Sequence, residues 1–175
     1  MPTYYITTLN FAIPFFITLI AIEIFFSKVY NKDYVIRSMD TLSSLCSGLT
    51  NIVKDVLGLT IIIVSYSYMV ENLAIFNIES SLLVYVIAFI GIDFAGYWVH
   101  RINHSINYFW NHHIIHHSSE EFNLACALRQ SISNFFSISF IFLIPTALIG
   151  VPAEVVGVLA PLHLFAQYWY HTRLI

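Results

Sequence analysis

Charged residues are scarce in this sequence. Its 175 residues include seven Lys and Arg and ten Asp and Glu, together 10%, against about 25% in ordinary globular domains. A soluble domain is therefore excluded as the default. Basic runs are missing as well, and with a net charge of −3 nothing could neutralise a phosphate backbone, so nucleic-acid binding has no electrostatic basis. Cysteine is limited to Cys46 and Cys126, which form neither a C-x-x-C pair nor a zinc spacing and support no disulfide framework. Internal repeats, low-complexity tracts and a second domain are also lacking. What abounds is apolar: 58% hydrophobic and 17% aromatic residues, with a mean hydropathy of +0.76. That is the reverse of a disordered composition. The chain reads as an all-α membrane protein with one domain over residues 1–175.

A helix needs about 20 apolar residues to cross a hydrocarbon core of about 30 Å, because unpaired backbone groups are not tolerated in lipid. Five stretches qualify: about 9–29, 56–76, 81–99, 132–149 and 152–170. The last two form a hairpin with Gly150-Val151-Pro152 as its turn. The first lacks a basic leader and a cleavage site and reads as a permanent span. Its Glu23 has no partner in the sequence and is assigned to snorkelling or helix contact. Residues 30–55, with Lys32, Asp33, Arg37, Asp40 and Lys54, are too polar to cross and are placed at the interface. Positive charges collect on the cytoplasmic side. An outside amino terminus puts Lys28, Lys32, Arg37, Lys54, Arg101, Arg129 and Arg173 all inside, with Glu71, Glu79 and Glu154 at the far turns. The Asn103-His104-Ser105 glycosylation pattern contradicts this topology and is discounted as a chance match.

Histidine is the unusual residue. Six of the eight fall between His100 and His117, on the side assigned to the cytoplasm. His100 and His104 stand four apart, on one face of a helix and within reach of one metal. His113, His116 and His117 follow at i, i+3 and i+4. Five imidazoles at ligand spacing outweigh the reading of polar residues at a membrane surface, since ionisable groups at membrane depth are costly. His112 falls outside the H-x-x-H-H box and is assigned a supporting or surface role. Asp93, two turns before His100, either accepts from a ligand imidazole, fixing its ring, or pairs with Arg101. His163, Gln167 and His171 are spaced by four. His171, at the cytoplasmic end, is the ligand candidate; His163 reads more simply as a hydrogen-bonding group within the bundle, and Gln167 as a weak ligand or a supporting group. Imidazole donors suit iron and zinc alike.

The stretch Asp93-Phe-Ala-Gly-Tyr-Trp-Val-His100-Arg101, then Trp110-Asn-His-His113-Ile-Ile-His116-His117-Ser-Ser-Glu120, then Asn123 and Ala127-Leu-Arg129-Gln-Ser131, resembles the fatty acid hydroxylase superfamily. Its sterol desaturase and alkylglycerol monooxygenase branch is nearest, and Gln167-Tyr-Trp-Tyr-His171-Thr172 is similar to that branch too. The resemblance covers about Asp93 to Ile175. It implies a di-iron centre on the cytosolic face that uses O2 and external electrons on a membrane lipid, by hydroxylation, desaturation or ether-lipid cleavage. The electron donor would be a reduced pterin, a cytochrome or a ferredoxin. It also implies the ligands His100, His104, His113, His116, His117 and His171.

The family pattern continues past the His-Thr pair with another H-x-x-H-H, which is not found up to Ile175, and Arg173 stands where relatives commonly carry an acid. Six histidines fall short of the roughly eight or nine that two irons with open positions need. The expectation is an incomplete ligand set, inactive by itself. The rival reading is a metal- or haem-binding membrane protein of transport or electron transfer. Haem ligands in bundles are single histidines on facing helices, whereas these gather at one place.

Overall fold

The computed structural model describes residues 3–30, 36–57, 65–132 and 138–173. Among them every regular element is helical, so the all-α reading holds. The helices are α1 (Thr3–Val29), α2 (Ser38–Val56), α3 (Tyr66–Leu73), α4 (Leu82–Ser105), α5 (Asn107–His113), α6 (Ser139–Ile149) and α7 (Ala153–Ala166). Short 3-10 turns cover His116–Ser118, Leu124–Leu128 and Gln167–His171.

The five expected spans correspond unevenly to these helices. α1 and α4 cover the first and third. At about 1.5 Å per residue, the 24 residues of α4 exceed the hydrocarbon thickness, and among the described residues α4 is the one helix long and apolar enough to cross a membrane. The stretch 56–76 is represented by the eight-residue α3, with 58–64 outside the described residues. The stretch 132–149 yields α6, with 133–137 outside them. The last expected span divides into α7 and the 3-10 turn at Gln167–His171.

Contacts gather into two units. One holds Ile62–Ile102 and Phe136–Phe165 together with the first twelve residues. Val84, Ala88 and Ile92 recur every turn on α4 and bury against Val151, Val155 and Val156, the packing that i, i+4 spacing allows. α6 ends on Gly150, whose φ of 87° suits a residue without a Cβ. A Cβ there would run into the carbonyl of Phe76. The Tyr66 hydroxyl donates to the Val151 carbonyl at 3.0 Å, which pins the same turn.

The other unit holds Ile13–Ile61, Asn103–Phe135 and Ala166–Ile175. Its polarity is inverted. Glu23, Ser27, Thr41, Ser44, Asn123 and Arg129 are buried, while Met39, Leu42, Leu45, Leu49, Ile52 and Val53 are exposed on α2. The interface segment read from 30–55 is thus largely a helix, amphipathic with its polar side inward.

Candidate metal centre

α4 sets the first pair of candidate ligands. Unbroken through Ser105, it carries His100 and His104 one turn apart. α5 then ends at His113, where the Ile114 N–H donates to the Trp110 carbonyl at 2.8 Å, and the chain tightens into the 3-10 turn at His116. Within the second unit the rings divide. The Nε2 of His117 lies 3.1 Å from that of His104 and 3.2 Å from that of His113, and the ligand atoms of these three all fall within 4.8 Å of one another. His116 turns elsewhere, its Nε2 3.3 Å from that of His171. The spacing of the second box placed His113, His116 and His117 on one face, and their ring centroids do lie 4.8–5.3 Å from one another, with His116 directing its Nε2 to His171.

Proton positions follow from the partners. The Nδ1 of His116 is 3.1 Å from the Arg129 carbonyl, and the Nδ1 of His171 is 3.0 Å from the Gln167 carbonyl. A carbonyl oxygen only accepts, so both rings hold a proton on Nδ1, and in the neutral ring Nε2 is a bare lone pair. Two lone pairs 3.3 Å apart repel unless a proton or a metal cation lies between them. A first-row metal ion with bonds of about 2.0–2.1 Å to each nitrogen meets that need, so the donor set fits a metal. Burial holds His117 below the ordinary imidazole value, helped by the nearby His104 and His171 rings. This favours the neutral, ligating form. Trp110 flanks His104 and His117, with ring centroids at 5.3 and 5.7 Å, and Phe122 stacks on His171 at 5.6 Å.

A polar network anchors this arrangement. Asp40 on α2 accepts from the Ser119 hydroxyl at 2.6 Å and from the Arg129 guanidinium at 2.6 Å. Arg129 also donates to the Ser44 hydroxyl and the Ser118 carbonyl, each at 3.1 Å. Since the Arg129 carbonyl orients His116, α2 supports the second box. Burial alone would raise the Asp40 carboxyl, but the Ser119 hydroxyl, the Glu120 backbone N–H and the Arg129 charge outweigh it and hold it below the usual range. Beside His116, His117 and His171 opens a cavity of about 230 Å³, with Glu120, Glu121 and Arg173 also on its wall. Cys126 contributes a buried thiol, which burial pushes up and keeps protonated.

Other candidates are placed differently. His112 packs edge-on against Tyr108 at 5.6 Å. Asp93 pairs with neither a ligand histidine nor Arg101: its carboxylate meets His163 Nε2 at 2.9 Å, and Arg101 donates to the Tyr97 hydroxyl at 2.6 Å. Sequence distance hid the pair, since the two residues lie 70 positions apart. Gln167 serves through its backbone carbonyl. Snorkelling is not the role of Glu23, which is buried and accepts from the Leu124 N–H at 2.8 Å and the Thr172 hydroxyl at 2.6 Å. An isolated acid in an apolar run was the signal for that residue; its partners, about a hundred residues or more away, could not be read.

The profile of the family described as fatty acid hydroxylase matches residues 85–175. The chain belongs to the fatty acid hydroxylase family. The matched stretch includes both histidine boxes and His171. Over nearly its whole length the chain is also similar to alkylglycerol monooxygenases. It is 38% identical to that of Homo sapiens over 94% of this chain and 37% of the relative. The Danio rerio protein is 35% identical over 95% and 37%, and the Xenopus tropicalis protein 37% identical over 92% and 35%. The likeness therefore reaches into the first 84 residues, ahead of the motifs that begin at Asp93. The chain spans little more than a third of the length of these relatives. No solved structure matches it.

Proposed function

We propose that this chain carries the histidine centre of a membrane-embedded di-iron oxygenase acting on a lipid C–H bond, an alkylglycerol ether being the first substrate to test. The observation that carries the reading is the pair of imidazole Nε2 atoms of His116 and His171, 3.3 Å apart with their Nδ1 atoms held by carbonyls. His100, His104, His113 and His117 would hold one iron, and His116 and His171 would contribute to the second. Iron bound there supplies activation of O2, with electrons from an external donor such as a reduced pterin.

The protein groups do the remaining work. Burial favours the neutral form of His117, Trp110 and Phe122 flank the rings of His104, His117 and His171, and the cavity beside His116 and His171 offers room for a substrate group next to the metal. The outward apolar faces of α1 and α2 support a lipid surrounding. Exposed aliphatic residues at 42, 45, 49, 52 and 53 of α2 form a stripe suited to the headgroup and acyl boundary. Placing all basic residues on one side supports a cytoplasmic centre.

The test is iron analysis of the chain in lipid nanodiscs, and oxygen uptake, with an alkylglycerol and a reduced pterin, of the chain extended by a third H-x-x-H-H. His104→Ala, His113→Ala and His171→Ala should each lower bound iron severalfold and remove lipid-dependent uptake. Iron content unchanged in all three variants would overturn the assignment, and retained iron with no lipid-dependent uptake would favour metal binding without oxygen chemistry.

A further inference from the structure

His171 lies at the end of a 3-10 turn, in the last turn before an extended Thr172, a place where a chain frays unless it is tied down. Three contacts tie it. Phe122 stacks on its ring and the Gln167 carbonyl takes its Nδ1 proton. The third comes from α1: Glu23, at 3% exposure, accepts from the Thr172 hydroxyl through Oε1 and from the Leu124 N–H through Oε2. One carboxylate thus holds the residue after His171 and the backbone two residues after Phe122. It fixes both the ligand and the ring stacked on it. Seven residues earlier on α1, Phe16 stacks on Tyr168 of the same turn with centroids at 3.9 Å, so α1 grips the turn at two levels.

A carboxylate buried in an apolar helix is costly unless its oxygens are satisfied. Here both oxygens are, and both bonds converge on the surroundings of one imidazole. We propose that Glu23 is a positioning residue of the histidine centre, acting through the Thr172 hydroxyl to hold the His171 imidazole toward His116. This rests on reading His171 as a metal ligand. Groups that orient a ligand in this way usually change metal affinity 10–100-fold when removed.

The experiment uses Co(II) titration of the chain in nanodiscs, followed by visible absorption, on Glu23→Gln, Thr172→Val, Thr172→Ser and His171→Ala. Nitrogen-15 NMR of the metal-free protein reads the His171 tautomer independently. Glu23→Gln and Thr172→Val should each weaken cobalt about 10-fold or more and mix the His171 tautomers, while Thr172→Ser, which keeps the hydroxyl, stays within about threefold of wild type. A His171→Ala variant with wild-type affinity, or a wild-type chain that takes up no cobalt, would sink the ligand reading, and the tautomer measurement would still judge Glu23. If His171→Ala weakens cobalt but Thr172→Val changes neither affinity nor tautomer, Glu23 is only a structural tie and the proposal fails. Should Glu23→Gln not fold, the Thr172 pair decides.

Discussion

Which of two adjacent histidines would bind a metal is a question of a single ring. His113 brings its Nε2 to 3.2 Å from that of His117, whereas His112 packs on Tyr108. Alanine at His113 should therefore lower bound iron severalfold and alanine at His112 should change it little, measured by metal analysis of folded protein. Equal loss in both would refute the assignment. The H-x-x-H-H spacing draws the same distinction in the sequence. Not legible was the turn of His116 toward His171, because it depends on the change of helical pitch after Ile114 and on a carbonyl 13 residues away.

At the scale of elements, α2 and the loop carrying Arg129 are joined by a buried ion pair, Asp40 to Arg129 at 2.6 Å. The folded Asp40 carboxyl lies below its ordinary value, against about 3.9 unfolded. Its stabilisation is thus complete above about pH 4 and disappears as pH falls through the folded value. Asp40→Asn should lower the thermal midpoint at pH 7 and approach wild type as pH falls through the folded Asp40 value, which lies below the ordinary carboxylate range. A constant gap between the two across that range would show that the carboxylate charge is not what holds α2. Removing Arg129 leaves a buried acid unpaired, at a cost of about 3–5 kcal/mol. The α6–α7 turn offers a separate test. Gly150→Ala forces a side chain into left-handed backbone and against the Phe76 carbonyl, so it should destabilise by about 1–3 kcal/mol, read from denaturation. An unchanged midpoint would contradict the geometry of that turn.

For the whole molecule, the sequence reading assigns all seven basic residues to one side of the membrane and Glu79 to the other. Introduced cysteines check it. In a Cys46→Ser background, since Cys46 is exposed and Cys126 buried, Asn111→Cys should label from the cytoplasmic side and Glu79→Cys from the opposite one. Labelling from the same side would remove a span. Long apolar runs over α1 and α4 and the Gly150 turn were readable because hydropathy and a missing Cβ are local properties. The extents of α3 and α6 were not, since helix ends depend on caps and neighbours.

What the sequence determined by itself was the helical class, the apolar surroundings and the set of histidines, because composition and i, i+3, i+4 spacing act within one or two turns of chain. Tertiary structure decided the rest. His116 faces His171 across 55 residues, Asp93 joins His163 across 70, Arg129 reaches Asp40 across 89, and Glu23 holds Thr172 across 149. Glu23, Arg129 and His163 are polar groups removed from water, and a buried polar group takes whichever partner folding brings within about 3 Å. No local pattern specifies that partner, so the candidate histidines could be listed from the sequence while the groups that hold them in place could not.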